Sequence, residues 1–296
     1  MTWLAARLER TGPMESAALL RIGLALLLWT RFGVQVATYF RPDLQFALLA
    51  AVFFPATTAL LVGWQTRAAT VITTACLWTM WWYFAPYRDM VGPYDHHHTR
   101  LLFAVMALMC LVPSGRVLSV DRWLALRRAE RTRTPPPTTE GPLYGLDLIA
   151  LQVSTVYFWT AWDKTQWAFL SGERLEHMLL RWYTPVVPDE PWLHGLTAAA
   201  AWAVVAIEYV LPFALFVPRW QKVAMPVGLV MHAAFFVLLP VSTFTATMAL
   251  LYLAYLPAEG VARTLRRGLS PDDDDPAPSG VDEGVHHPER ASVPPL

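Results

Sequence analysis

Apolar residues fall in eight long runs separated by short polar breaks, at roughly 16–38, 44–63, 68–85, 98–112, 143–163, 195–217, 220–239 and 242–257. A helix that crosses a bilayer needs about 20 mostly apolar residues, and most of these runs approach that length. The fourth and the last are shorter, so the count is about eight spans, or seven if one of them does not cross. No run alternates apolar and polar residues with a period of two, which argues against a membrane β-barrel. The pattern therefore predicts an all-α fold, a polytopic integral membrane helical bundle. Arg7 and Arg10 precede the first run as they would in a signal peptide, but the run is long and no small-x-small cleavage site follows it. It is expected to be a retained span.

Loop charges then suggest an orientation. Arg116, Arg122, Arg127, Arg128, Arg131 and Arg133 fall between the fourth and fifth runs, Arg219 and Lys222 between the sixth and seventh, and Arg263, Arg266 and Arg267 after the last. The alternate loops carry only Arg41, Arg88, Arg174 and Arg181. Basic residues accumulate on the cytoplasmic side, so both termini are expected there. Two stretches look disordered. Arg133 to Gly141 is rich in proline and threonine, and the tail after about Ser270 holds Asp272 to Asp275 and several prolines. The expected division is a membrane domain at 1–268 and an acidic, proline-rich tail at 269–296.

Composition narrows the function classes. Hydrophobic residues make up 55% of the 296-residue chain and charged residues only 16%, against roughly 25% charged in a soluble domain. Cys76 and Cys110 both lie in apolar runs and read as small buried hydrophobes. Phosphate-binding loops, dinucleotide glycine patterns and zincin motifs are missing from the sequence, and no basic face suits a nucleic acid.

The rare ionisable groups inside the apolar runs carry the chemistry, because each is costly in a membrane. Only two of the 23 basic side chains are lysines, Lys164 and Lys222. Lys164 ends the fifth run, where the span is expected to meet water. Two readings stand for it. It is an interfacial anchor that reaches the headgroups, or it is a base, since a desolvated lysine, unlike arginine, loses its proton readily. Tyr94-Asp95-His96-His97-His98 falls on the same expected face. Three adjacent histidines are poor metal ligands without a further donor, so no metal is assigned; a histidine beside a lysine can instead support an oxyanion or relay a proton. Glu208 and His232 are expected deep in the sixth and seventh runs, either as a packing pair or as binding groups. Arg21 is expected to snorkel inward. Arg31 lies too deep for that and is expected to pair with a carboxylate or an anionic ligand.

These residues resemble a family. Arg21-Ile22-Gly23, Gly63-Trp64-Gln65-Thr66-Arg67, His98 ahead of a span that ends near Ser119-Val120-Asp121, Tyr157-Phe158 with Lys164, and His232 together resemble the membrane module shared by vitamin K-dependent gamma-carboxylases and the bacterial horizontally transferred transmembrane (HTTM) proteins. The resemblance implies Lys164 as the base that deprotonates a reduced quinone and His98 as its partner. His97, Tyr157, Asp163, Glu208, His232 and Arg31 are the candidate substrate- or cofactor-binding residues. It also implies a lyase-like or oxidative enzyme in a bacterial cytoplasmic membrane. That enzyme would take a lipid quinone and a small peptide, with carbon dioxide and oxygen if it carboxylates, alongside peptide-maturation partner proteins. The chain departs from the family pattern at Asp163, where the carboxylases tend to be basic, and in having nothing after the last span to form their large soluble domain. A non-catalytic binding or assembly role in peptide maturation or export is the alternative.

Overall fold

The computed structural model describes residues 8–38, 44–85, 97–183, 186–187, 190–239 and 241–269. Among them the chain is almost entirely helical. Helix α1 (Glu15–Leu28) runs through a π-helical turn (Trp29–Gly33) into α2 (Val34–Thr38). Then come α3 (Leu44–Val62), α4 (Thr66–Thr79, extended by a second π-helical turn at Met80–Phe84), α5 (His97–Met109) and α6 (Val120–Thr132). They are followed by α7 (Tyr144–Lys164), α8 (Trp167–Leu170), α9 (Glu173–Tyr183), α10 (Pro191–Ala214), α11 (Pro218–Leu238), α12 (Ser242–Leu251) and α13 (Ala258–Leu269).

Each apolar run of the sequence lies in a helix or a continuous helical pair. Leucine and alanine favour helices, and in a membrane the helix satisfies its own backbone. Proline at the first turn of α10 and of α11 suits the position where no amide hydrogen is required. By length and apolar character, Glu15–Ala37, Leu44–Val62, Pro191–Ala214 and Pro218–Leu238 can each cross a membrane. A fifth candidate is the pair Ser242–Ala254 and Ala258–Gly268, bent by 100°. Helix α7 is as long as these but carries Asp147, Asp163 and Lys164.

Two features were absent from the expected pattern. Helices α6, α9 and α13 are charged and amphipathic, so they leave no long apolar run. The Arg133–Gly141 stretch is ordered. Its end forms strand β2 (Glu140–Pro142), paired antiparallel with β1 (Thr11–Pro13), and Arg116 and Arg122 donate to the backbone carbonyls of Glu140 and Pro137. Proline and threonine content missed this because the order comes from arginines that precede the stretch. The expected tail, apart from its first residue Leu269, lies outside the described residues.

Arg21 also departs from expectation. It is fully buried, and its Nη2 donates to the Leu118 carbonyl at 2.6 Å. It packs on the α3–α4 turn, where Gly63 has a φ of +71° and a Cβ would strike the guanidinium. The Asp121 carboxylate accepts from the amides of Gln65 and Thr66 and from the Thr66 hydroxyl, each at 2.7 Å. The Asp121 amide donates back to the Gly63 carbonyl at 3.0 Å. Arg21, the Gly63–Arg67 turn and the Ser119–Asp121 segment thus form one brace among α1, α3, α4 and α6.

Candidate functional site: a buried lysine–glutamate pair and a tyrosine–histidine network

Helix α7 organises the site. Asp147, Ala150, Ser154, Tyr157, Ala161 and Lys164 recur at spacings of three and four, which puts them on one face of the helix. Ala150, Ser154, Tyr157 and Ala161 are buried against the neighbouring helices. The two alanines leave space between the polar side chains. Helix α7 packs on α5, α10 and α12, and α11 packs on α10 and α12.

At the C-terminal end of this face, Lys164 Nζ donates to both carboxylate oxygens of Glu208, at 2.6 and 2.8 Å. The Glu208 side chain is 3% exposed and that of Lys164 is 25% exposed. The rings of Phe169, from α8, and Phe235, from α11, lie 5.8 and 6.0 Å from the amine. The expected picture of Lys164 at the water interface, with Glu208 far below it, is therefore corrected. The two meet because α7 ends partway along α10, whose N-terminal part continues beyond it and is flanked by α8 and α9. Gly172, with a φ of +83°, allows that packing, since a Cβ there would run into the backbone of Thr197 and Ala198. An anchor would send its amine toward headgroups; this amine turns to a buried carboxylate.

Two turns earlier, the Tyr157 hydroxyl lies 2.6 Å from His232 Nε2 and 2.7 Å from the Tyr252 hydroxyl. His232 is 2% exposed, and its Nδ1 has no hydrogen-bond partner. Gly228, one turn before His232 on α11, makes room for the Tyr252 hydroxyl, which a Cβ would strike. Phe235 links the two clusters. Its ring centroid is 6.0 Å from Lys164 Nζ and also 6.0 Å from the His232 ring centroid. Nearer the other end of α7, the Ser154 hydroxyl is 2.8 Å from that of Tyr255, which donates to the Ala150 carbonyl at 2.6 Å.

The predicted site residues thus divide. Lys164, Tyr157, Glu208 and His232 converge. Asp163 is exposed, and the carboxylate that Lys164 bonds is Glu208. Arg31 sits in the π-helical turn of α1 with its guanidinium 5.4 Å from the Phe32 ring centroid, on a helix that contributes nothing to the pair. His97 and His98 open α5, but their side chains lie outside the described residues, as does the rest of the histidine run. The Gly145 position packs against Val112 and Leu111. The start of α7 therefore meets the segment that follows α5. Tyr252, Tyr255, Ser154 and Phe235 were not singled out from the sequence. For Ser154 the signal was available in the three-and-four spacing with Tyr157 and Lys164. For the other three it was not, because aromatic residues are common in every span.

A bidentate lysine–carboxylate pair with no net charge can take up one proton, whichever partner holds the shared one. Once protonated it carries a positive charge that stabilises an adjacent anion, and more strongly away from water. The buried tyrosine and histidine beside it are groups that both donate and accept.

The family model described as the HTTM domain matches residues 32–259. The match covers more than three quarters of the chain, and the protein belongs to the HTTM family, whose membrane domain is related to that of the gamma-carboxylases. No curated protein and no solved structure matches the chain.

Proposed function

We propose that this protein is a membrane enzyme of the carboxylase-like class that modifies a small peptide at the extracytoplasmic face, with Lys164 and Glu208 acting together as the base. The bidentate 2.6 and 2.8 Å contact between them carries the reading. Such a pair is costly to bury, and replacement by apolar residues is often neutral or stabilising, so packing alone gives little reason to keep it. In this reading eight helical units cross the membrane and both termini lie in the cytoplasm, which the basic loops favour. The membrane is a bacterial cytoplasmic membrane.

The residues present suit a reduced quinone. Phe169 and Phe235 offer flat apolar walls beside the amine, and the orphaned Nδ1 of buried His232 offers a polar contact close by. A bound quinol would supply a weakly acidic hydroxyl and reducing electrons. The Lys164–Glu208 pair accepts that proton, and its resulting positive charge holds the anion left behind. His98, in the first turn of α5, is the further polar group of the site. Carbon dioxide and oxygen enter only if the product is a carboxylate.

The test is mass spectrometry of a short peptide encoded beside this gene, co-expressed with wild-type protein, with Lys164→Ala and with Lys164→Arg. A mass change seen with wild type and lost in Lys164→Ala, normally inserted, supports the enzyme. Lys164→Arg keeps the positive charge but cannot give up its proton, so product that persists there assigns the proton to the Glu208 carboxylate and product that is lost assigns it to the Lys164 amine. An unmodified peptide with the wild-type protein favours the non-catalytic binding or assembly role, in which the network serves helix packing at about 0.6 kcal/mol per hydrogen bond.

A further inference from the structure

We propose that the cavity framed by the α3–α4 turn, the segment after α5 and the first turn of α7 binds a phosphate group, carried either by an anionic lipid headgroup or by a soluble phosphate compound. This site goes beyond peptide modification and does not depend on it.

The cavity holds about 370 Å³, within the range of small-ligand pockets. Thr66, Arg67, Ser114, Arg116, Asp121 and Tyr144 supply its polar wall. It sits at the Tyr144 end of α7, so the length of that helix separates it from Lys164. In the orientation proposed above this is the cytoplasmic side, where the negative leaflet surface attracts basic groups.

The charges on the wall favour an anion. Two arginines face one carboxylate, and that carboxylate is already engaged: Asp121 accepts from the amides of Gln65 and Thr66 and from the Thr66 hydroxyl. The start of α4 is thereby capped from within, which leaves side chains to hold the ligand. Arg116 donates one of its N–H groups to the Glu140 carbonyl. That bond fixes the guanidinium beside strand β2 and leaves four of its five donors to spend. Arg67 is exposed in the first turn of α4, free of the packing that confines Arg21. A phosphate between two such planar donors makes charge-assisted bonds, the strong kind.

A buried hydroxyl points to the same ligand independently of charge. Ser114 is 1% exposed, and among the described residues its Oγ has no hydrogen-bond partner. Buried polar groups are nearly always bonded, and a serine on the wall of a basic cavity is a ready donor to an oxyanion. Its neighbour Gly115 closes the floor, since a Cβ there would fall 2.6 Å from Thr66 Oγ1. The surroundings also suit a lipid. Leu111, on the wall, and Trp64, beside the turn, are both large and exposed, and tryptophan favours the headgroup level of a bilayer.

The test measures binding of acyl-labelled phosphatidylglycerol to the purified full chain in dodecyl maltoside micelles, against acyl-labelled phosphatidylcholine, with glycerol 1-phosphate as the soluble probe. A preference for phosphatidylglycerol that glycerol 1-phosphate competes away assigns the site to a lipid headgroup. Binding of glycerol 1-phosphate with no preference between the lipids assigns it to a soluble phosphate compound. In either case Arg67→Gln and Ser114→Ala are each expected to weaken binding about tenfold, as for a lost hydrogen bond to a charged group. Arg127→Gln, at an exposed position on α6, is expected to bind as wild type. Three results would each overturn the site: no lipid preference and no binding of glycerol 1-phosphate, wild-type affinity in Arg67→Gln or Ser114→Ala, or an equal loss in Arg127→Gln. If one of the two site variants fails to fold, the other decides. Failure here leaves the peptide-modification test untouched, because binding is read without peptide or quinone.

Discussion

Replacing Lys164 with leucine removes the cation bonded to the Glu208 carboxylate, which is 3% exposed. Breaking a buried ion pair by deleting one partner costs about 3–5 kcal/mol, because the other charge stays buried and unpaired. The reverse change, Glu208→Leu, costs less, about 1–3 kcal/mol, since the amine is a quarter exposed and its flexible stem can carry it toward polar surroundings. The double variant leaves no buried charge and is expected within about 1 kcal/mol of wild type. The pair is then coupled by at least about 3 kcal/mol. The assay is reversible unfolding of the purified protein in mixed micelles, followed by tryptophan fluorescence and analysed as a double-mutant cycle. Two results would refute the reasoning: a Lys164→Leu protein within 1 kcal/mol of wild type, or a double variant as unstable as the sum of its parents.

Three further outcomes follow from the same geometry. Asp121→Ala removes an acceptor of three hydrogen bonds at the start of α4 and is expected to destabilise the protein by about 2 kcal/mol, the upper range for a lost helix cap, read as a lowered melting temperature. Gly172→Ala places a side chain at a φ of +83° and against the backbone of α10. It is expected to cost more than the ~1 kcal/mol of the conformational strain alone and to expose α9 to limited proteolysis. Asp163→Asn, at an exposed position off the pair, is expected to leave peptide modification at the wild-type level in the co-expression assay.

The helical frame was legible because membrane spans announce themselves by length and apolarity, with no need of partners. Helices α6, α9 and α13 were not, since their charged residues leave no long apolar run to mark them. The ordered Arg133–Gly141 stretch escaped because its order depends on Arg116 and Arg122 and on strand β1 some 130 residues earlier in the chain. In the site, Lys164, Tyr157, Glu208 and His232 stood out because ionisable groups are rare in apolar runs. What the sequence could not reveal was depth. Counting residues from each span end put Lys164 at a surface and Glu208 about 20 Å below it, whereas α7 stops level with Glu208. Arg21 shows the same limit, since its neighbours Gly63 and Leu118 come from other helices and turn an expected snorkelling cation into a buried brace.

The most direct measurement is the amount of modified peptide made by Glu208→Gln. Glutamine keeps the size and hydrogen-bonding shape of the side chain but leaves Lys164 charged with no carboxylate to take a proton. A base made of two residues predicts that Glu208→Gln loses the product as completely as Lys164→Ala while remaining inserted and folded. Wild-type product from Glu208→Gln would contradict it and leave Glu208 a packing residue.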